Sequence, residues 1–273
     1  MTILQSKLSF SSLRALYSKA NIFVNSRLYR SSRKHNVAML HVGRCGSTVV
    51  GDLLDQHPSI RWEGEIFSGE GHRCEELAPL SDSGESCIIK NMYAAKDPVF
   101  GFETKMLHEQ HLGTDMVDRS LDDYISMLKR IGIDKFILLK RSNYLKRAVS
   151  AAVGRKKGEW HSTDKPQSIT RVEIDPERYR TGRKTQTLLE HFDSVDTVYN
   201  RARSLISSTS DMLSLKYESH ILPDPKIALS HILDFTGMNF REDNFSVSYK
   251  RHNPHKLSDV LINLDEICEH LSG

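Results

Sequence analysis

Short apolar runs and amphipathic segments follow one another along the chain. Residues 36–42 (NVAMLHV) form an apolar run without alternation, which is typical of a strand buried on both faces of a parallel sheet. From 48 to 56 the apolar positions fall on one face of a helix, and His57-Pro58 marks its end. The pattern therefore predicts a strand, a loop that begins at Gly43, and a helix.

The same kinds of segment recur further along the chain. Strand patterns lie at 99–106, 136–140 and 212–217, and helical patterns lie near 120–131, 143–153, 184–208 and 225–235. Strands separated by helices indicate a mainly parallel sheet with helices on both faces. We therefore predict an α/β fold with a single domain over residues 36–273.

Two segments fall outside this pattern. Residues 1–35 contain seven Lys or Arg residues and no Asp or Glu. This composition fits a transit peptide, a basic amphipathic helix in peripheral contact with a membrane, or a solvated helix added to the domain. Residues 154–184 are polar and basic with little periodicity, which is typical of a lid, a binding loop or a disordered connection.

The composition limits the class of protein. A chain of 273 residues with 38% hydrophobic and 27% charged residues can form one substantial core, and a net charge of +3 does not suggest nucleic-acid binding. No apolar stretch approaches the roughly 20 residues that span a bilayer, so we expect a soluble, cytoplasmic protein, with organelle targeting by residues 1–35 left open. The four cysteines lack metal-binding or redox spacing, and a chain this long needs no disulfide, so a reducing compartment is expected.

Residues 43–48 (GRCGST) lie at the junction of the first predicted strand and helix. Free backbone N–H groups and the helix dipole at such a junction favour a phosphate. The loop is not a Walker A loop, because that pattern requires a Lys directly after its last Gly and Ser47 stands there. A magnesium-dependent triphosphatase is therefore disfavoured, and an ordinary turn with a capping hydroxyl is the alternative.

A second junction of this kind lies in FILLKRSNYLKRAVS at 136–150. It places Arg141 at the end of a strand and Ser150 about two turns into the next helix, so that both can face one phosphate. Together the two junctions resemble the phosphosulfate-binding motifs of the sulfotransferase family. The resemblance implies a P-loop-containing parallel β-sheet flanked by helices.

The resemblance also implies roles for the matching residues. Arg141 and Ser150 would hold the 3′-phosphate of the donor, 3′-phosphoadenosine-5′-phosphosulfate, although their separation of nine residues is one more than the family usually has. An insertion in the loop or a shifted Arg contact would account for the difference. The donor's 5′-phosphosulfate would be bound by Arg44, Cys45, Gly46, Ser47 and Thr48. A cysteine nucleophile is not needed for this chemistry, so Cys45 is interpreted as a backbone donor.

Weaker similarities continue along the chain. The HPSI and GEIF segments, with His57 and Glu65, are similar to a run that follows the first loop in carbohydrate and tyrosylprotein sulfotransferases. Tyr217 lies in a segment similar to one near the family's nucleotide, and Lys250 lies in one similar to its closing lysine/asparagine-proline segment. The resemblance covers about residues 36–270 and implies that Tyr217 and Lys250 bind the donor.

Sulfuryl transfer needs positioning and charge stabilisation more than covalent help. Arg44 stands where many family members have a Lys that stabilises the leaving phosphate oxygen, and a surface ion pair is its alternative role. A hydroxyl acceptor also needs a general base, for which we expect a pKa raised by burial or by neighbouring groups. The resemblance implies Glu65 as this base, with ordering of the loop or contact with acceptor hydroxyls as its alternative; Glu63 is a weaker candidate.

Other polar residues have two interpretations. His57 could replace Glu65 as the base, as a His does in cytosolic members, or it could cap the preceding helix. Lys105, at the end of a predicted strand, points into the same cleft or is solvated. His41 and His108 are interpreted as structural.

The sequence thus predicts a sulfotransferase acting on a hydroxyl, or an amine, of a carbohydrate or small-molecule natural product. Its donor would be the phosphosulfate, its product adenosine 3′,5′-bisphosphate, and no metal would take part. The alternatives are a nucleotide or sugar kinase of the P-loop class and a noncatalytic nucleotide- or membrane-binding protein.

Overall fold

The computed structural model describes residues 33–67, 84–160, 168–239, 245–249 and 255–272. Its strands, in chain order, are β1 (His35–His41), β2 (Ile60–Glu65), β3 (Val99–Lys105), β4 (Lys135–Lys140), β5 (Tyr179–Thr181), β6 (Lys184–Gln186) and β7 (Asp211–Lys216). Five of them form a parallel sheet in the order β2-β3-β1-β4-β7. Strands β5 and β6 form a separate antiparallel hairpin.

Strand β1 occupies the centre of the sheet because its middle residues are apolar on both faces and fully buried. Its pairing with β3 ends with His41 opposite Lys105, and the pairing of β2 with β3 ends with Glu65 opposite Glu103. Because parallel strands end at the same edge of the sheet, these four polar residues lie together. The register therefore places titratable groups beside the loop that follows β1.

The helices of the described chain are α1 (Ser47–Asp55), α2 (Gly84–Ala94), α3 (Leu121–Arg130), α4 (Tyr144–Lys157), α5 (Leu188–Ser207), α6 (Pro225–Thr236), α7 (Leu257–Val260) and α8 (Leu264–Ser272). Single π-helical turns follow β3 at His108–Leu112 and β7 at Tyr217–Ile221. Side-chain caps fix the starts of four helices: Ser120, Asn143, Thr187 and Asp224 each accept a hydrogen bond from a backbone N–H of the first turn. Each cap satisfies a donor that the helix itself leaves free.

Two apolar clusters form the interior. The larger one contains the central sheet and the helices packed against it. The smaller one joins α4 to the hairpin and to the C-terminal helices through residues such as Val149, Tyr179 and Ile267. This second cluster holds the hairpin over the end of the sheet that carries the loop.

The hairpin tip makes a close contact with the turn after β3. Gly182 has φ +57°, and a Cβ built there would lie 2.2 Å from the carbonyl oxygen of Glu109. A side chain at this position would therefore collide with backbone, and glycine permits both the left-handed conformation and the approach. The contact closes one side of the cleft described below.

The predicted parallel α/β architecture is confirmed, and most predicted elements are present within one or two residues of their expected bounds. The single helix predicted at 184–208 is wrong at its start, because 184–186 pair as β6 and α5 begins at Leu188 behind a capping box of Thr187 and Glu190. The edge strand β2 and helix α2 were not predicted. The sequence of β2 carries Arg and Glu residues, which hide the strand pattern.

The interpretation of 154–184 as a long excursion needs a similar correction, since α4 continues to Lys157 and the later part forms the hairpin. Residues 161–167 lie outside the described residues, as do 1–32 of the basic N-terminal segment. Over the described residues, none of the helices has the length and apolar character that crossing a bilayer requires.

The cysteines differ from expectation at one position. Cys45 and Cys268 are free thiols, whereas Cys87 is disulfide-bonded. The sequence did not point to this bond, because one cross-link in a large domain has no spacing signature.

Candidate active site

The loop between β1 and α1 is shaped by three residues with positive φ. Gly43 has φ 80°, Arg44 has φ 56° and Gly46 has φ 88°. A Cβ at Gly46 would lie 3.0 Å from Ile221 and 3.1 Å from Tyr217, so this glycine lets the loop pack against the turn after β7. Ser47 and Thr48, at the start of α1, line the cleft beside the loop, and the helix has no side-chain cap there. A helix N-terminus of this kind is a setting for an anion site.

The cleft has a volume of about 1180 Å³. It is bounded by the loop, the end of β3, helix α4, the β5–β6 hairpin and the turn after β7. Nine predicted site residues line it: Arg44, Gly46, Ser47 and Thr48 from the loop, Arg141 and Ser150 from the second junction, and Glu65, Lys105 and Tyr217 from elsewhere. Residues that are far apart in the sequence are thus brought to one cavity.

The Arg44 side chain links the two junctions. Its Nε and Nη2 both donate to Oγ of Ser150, at 3.1 and 3.0 Å, and its Nη1 donates to the carbonyl of Trp160 at 2.7 Å. The guanidinium also lies 5.8 Å from the centre of the Trp160 ring. Burial, and then repulsion from Arg141, lower the pKa of Arg44 to about 10, so the group is positively charged at neutral pH.

Arg141 lies just beyond β4 and supports the loop backbone. Its Nη1 donates to the carbonyl oxygen of Arg44 at 3.2 Å, and its guanidinium lies 4.5 Å from the centre of the Tyr217 ring. Glu218 accepts hydrogen bonds from the backbone N–H groups of Ser142 and Asn143, which fixes the turn from β4 into α4. Burial lowers the pKa of Arg141 from its usual value.

Glu65 and Lys105 form an ion pair in the cleft, with Nζ of Lys105 2.7 Å from Oε2 of Glu65. Burial by itself would raise the pKa of Glu65, but the attraction of Lys105 and His41 outweighs it and the pKa is lowered. The expectation of a raised pKa at this residue is therefore wrong. Glu65 is a carboxylate at neutral pH, with one oxygen already bound to a cation.

His111, in the turn after β3, faces the same carboxylate. Its Nδ1 accepts the backbone N–H of Lys105 at 3.1 Å, and its Nε2 lies 3.7 Å from Oε2 of Glu65. Burial, and then the charge of Lys105, lower the pKa of His111 to about 3. The ring is therefore neutral at physiological pH, and its single proton lies on Nε2, toward Glu65.

The lowered pKa of His111 predicts an acid-sensitive stability. An unfolded His binds a proton near pH 6.5 and the folded one near pH 3, so its contribution is complete above about pH 6.5 and is lost as the pH falls. Between pH 7 and 5.5 we expect wild type to lose about 1 kcal/mol more unfolding free energy than His111→Gln, measured by urea titration. Glutamine can keep both contacts of the ring without titrating. An equal loss in the two proteins would contradict this.

A second histidine–carboxylate pair lies beneath the loop. The Gly43 N–H donates to Nδ1 of His41 at 3.0 Å, and Nε2 of His41 lies 3.5 Å from Oε2 of Glu103. Nε1 of Trp62 donates to the other oxygen of Glu103 at 3.1 Å. Because Nδ1 accepts a hydrogen bond, Nε2 is the ring nitrogen of His41 that can carry a proton toward Glu103.

The ligand atoms of His41, Glu65 and Glu103 lie within 4.8 Å of one another, a spacing that could hold a metal ion. Of these groups, Glu65 is already paired with the ammonium of Lys105, whereas Nε2 of His41 is buried without a hydrogen-bond partner among the described residues. Glu103 is 2% exposed and was not singled out from the sequence. The available signal was an acidic residue directly after the apolar run VFGF of β3.

Three other predicted residues have different positions. Cys45 is buried, and its thiol donates to the carbonyl of Gly43 at 3.1 Å. His57 is not among the described residues that line the cleft; its Nδ1 accepts the N–H of Ser59 at 3.1 Å and its ring stacks on Phe245. His57 thus makes these contacts in the turn that follows α1. Lys250 lies outside the described residues.

No protein-family model matches the chain, and no curated protein matches it. Among solved structures, the chain is similar to a sulfotransferase from Alicyclobacillus acidocaldarius, with 13% identity, a TM-score of 0.41, and coverage of 81% of this chain and 87% of that chain. It is also similar to mouse sulfotransferase SULT7A1 complexed with PAP, with 14% identity, a TM-score of 0.42, and coverage of 88% and 75%.

Sulfotransferase STF9 from Mycobacterium avium has 13% identity and a TM-score of 0.42, with coverage of 97% of this chain and 86% of that chain. All three structures are sulfotransferases, the family that the sequence motifs resemble. At these identities and TM-scores the likeness carries no argument about activity. The function of this chain is therefore inferred from its own residues.

Proposed function

We propose that this protein is a sulfotransferase that moves a sulfuryl group from 3′-phosphoadenosine-5′-phosphosulfate to a hydroxyl group. The observation that carries the proposal is the forked contact of Arg44 with Ser150, 106 positions apart in the sequence. This contact joins the two junctions that were predicted to bind phosphate, which supports a donor with phosphates on both sides of its ribose. If residues 43–48 were only an ordinary strand-to-helix turn, Arg44 would not be expected to contact a residue of the second junction.

The donor end of the cleft is strongly cationic. Arg44 and Arg141 lie beside the N-terminus of α1, where Ser47 and Thr48 supply hydroxyl groups and backbone N–H groups. Neither guanidinium has a carboxylate within ion-pair distance among the described residues. Such a set suits the phosphates and sulfate of a dianionic or more highly charged ligand. In this assignment Arg44 stabilises the charge that develops on the leaving phosphate oxygen.

The transfer itself is a single displacement. The acceptor oxygen attacks sulfur, the bond between sulfur and the phosphate oxygen breaks, and adenosine 3′,5′-bisphosphate leaves with the electron pair. The hydroxyl proton passes to Glu65, which is already ionised at neutral pH because its pKa is lowered. Nε2 of the neutral His111 ring faces the same carboxylate oxygen from 3.7 Å, beyond hydrogen-bond distance.

The acceptor would enter from the side of the cleft that Asp52 and Asp55 line. Carboxylates accept hydrogen bonds from sugar hydroxyls and attract amines, and they repel anionic acceptors. This supports a neutral carbohydrate, or a natural product with hydroxyl or amino groups, as the acceptor. An anionic glycan fits the lining less well.

Ligand binding distinguishes this proposal from the alternatives. We expect adenosine 3′,5′-bisphosphate to raise the Tm without magnesium, by the equivalent of about 2.7 kcal/mol at a hundred times its Kd, and ADP to do so far less. A P-loop kinase would instead prefer ADP with magnesium. Equal stabilisation by the two nucleotides would overturn the donor assignment.

Turnover then separates an enzyme from a noncatalytic nucleotide-binding protein. Labelled phosphosulfate is incubated with panels of sugars, phenols and amines, and transfer of label to an acceptor is measured. We expect transfer to hydroxyl-rich neutral acceptors. Binding of the bisphosphate without transfer to any acceptor class would support the noncatalytic alternative.

A further inference from the structure

Arg147 is a buried cation with neutral partners. It lies on α4 and is 3% exposed. Its Nη1 donates to the carbonyl oxygen of Val42 at 3.5 Å and its Nη2 donates to Nε2 of His191 at 2.5 Å. Its Nε is buried without a hydrogen-bond partner, and no described carboxylate pairs with it. A charged group in this condition is costly unless an anion accompanies it.

His191 cannot neutralise this charge, but it holds the guanidinium in place. Burial, and then the charge of Arg147, lower the pKa of His191 to about 3, so the ring stays neutral and accepts from Arg147. Its Nδ1–H then faces Gln186, 3.1 Å away on the hairpin. Turning the Gln186 amide by half a rotation pairs this proton with Oε1, which otherwise has no partner.

Arg147 is also close to the predicted donor site. It lines the same cleft as Arg44 and Arg141, and the Val42 carbonyl that it contacts belongs to the residue just before the loop. Burial is the main cause of the lowered pKa of Arg141, and repulsion from Arg147 adds to it. Arg44, Arg141 and Arg147 are thus three of the five arginines that line this cavity, and none of the three has a carboxylate within ion-pair distance among the described residues.

We infer that Arg147 is a third anion-binding residue of the cleft, which holds a phosphate or sulfate oxygen of the ligand and is oriented by His191 and the hairpin. The inference rests on the proposed function for the identity of the ligand. The negative charge of the ligand is inferred from Arg147 itself. An anionic group in the cleft would supply the counter-charge that Arg147 lacks. The hairpin would then contribute to donor binding through Gln186 and His191 rather than only cover the cleft.

The test compares Arg147→Met with wild type and with Arg203→Met, which removes the same charge from an exposed position on α5. Thermal melts are measured without ligand, with pyrophosphate and with adenosine 3′,5′-bisphosphate. In Arg147→Met we expect an unchanged or higher Tm without ligand, because an unpaired buried charge is gone. We also expect at least tenfold weaker binding of both anions. Arg203→Met should behave as wild type.

A purely structural role makes the opposite prediction. In that case Arg147→Met lowers the Tm without ligand and binds both anions as tightly as wild type, which would overturn the inference. Arg147→Gln is the second variant, since its amide can still donate to Val42 or His191 while lacking the charge. It should bind anions as weakly as Arg147→Met, and wild-type affinity in this variant would equally overturn the inference.

The wild-type melts separate this inference from the proposed function. If pyrophosphate stabilises wild type and the bisphosphate does not, the phosphosulfate donor is wrong while the comparison of Arg147 variants with pyrophosphate still stands. If both ligands stabilise wild type and the Arg147 variants equally, the proposed function survives and the role of Arg147 does not.

Discussion

Replacing Glu65 with glutamine is expected to lower kcat by about 10²- to 10⁴-fold, the usual contribution of a positioned general base. Glutamine keeps the size of the side chain and one accepting oxygen, so Lys105 retains a neutral partner and the cleft keeps its shape. It cannot take the acceptor's proton. The affinity for adenosine 3′,5′-bisphosphate should therefore change little, because Glu65 lies beside the reacting group and not among the cationic residues that bind phosphates.

Single-turnover transfer of labelled sulfate and equilibrium binding of the bisphosphate measure the two quantities separately. Glu63→Gln is the matched comparator, since Glu63 is two residues away and is held by Arg61 at 2.7 Å. Its effect on kcat should be far smaller. A larger loss in Glu63→Gln would move the base to that residue, and a loss of bisphosphate affinity in Glu65→Gln would mean that Glu65 orders the loop.

Replacing Arg44 with methionine is expected to reduce kcat by about 10²- to 10³-fold, as the loss of one preorganised charge at a developing oxyanion does. The buried guanidinium keeps its charge at neutral pH despite its lowered pKa. Its forked contact with Ser150 also holds α4 against the loop. Methionine retains the packing of the stem and removes both effects.

Arg44→Lys separates charge from geometry. A lysine keeps the positive charge but cannot fork onto Ser150 and the Trp160 carbonyl at once, so we expect kcat to recover by about tenfold or more over methionine. Ser150→Ala completes the comparison by removing only the acceptor of the fork. Equal activity in Arg44→Met and wild type would exclude a role for Arg44 in the transition state.

The sequence was most informative about the elements that are buried on both sides. Strands β1, β3 and β4 are such elements, and each was predicted close to its observed bounds. The edge strand β7 was also predicted from its apolar positions, although only Leu215 of its residues is buried. Strand β2 lies at the sheet edge, and its sequence IRWEGE shows polar residues instead. The three-residue strands of the hairpin are too short for a periodic signal. Their pairing depends on packing against α4 and α5.

The candidate site also has features that the sequence predicted and features that it did not. The motif residues Arg44, Arg141 and Ser150 were predicted from the sequence, and the structure brings them to one cleft, while their roles stay predictions. The lowered pKa of Glu65 was not foreseen, because it depends on the position of Lys105 forty residues away. Glu103 was not predicted for a related reason. Its contacts with His41 and Trp62 depend on how the strands and α1 pack, and the sequence of β3 does not show them.

The sequence by itself determined the parallel α/β order, the loop with its two glycines and the second basic junction, because local patterns of hydrophobicity and glycine specify these features. Only the tertiary structure decided which charges lie near one another. Strand register set Glu65 and Glu103 side by side, and packing of α4 against the loop left Arg147 buried without a counter-ion. These residues are far apart in the sequence, so only folding brings them together. The pKa values and the unpaired charge on which the proposed chemistry depends arise from the same contacts.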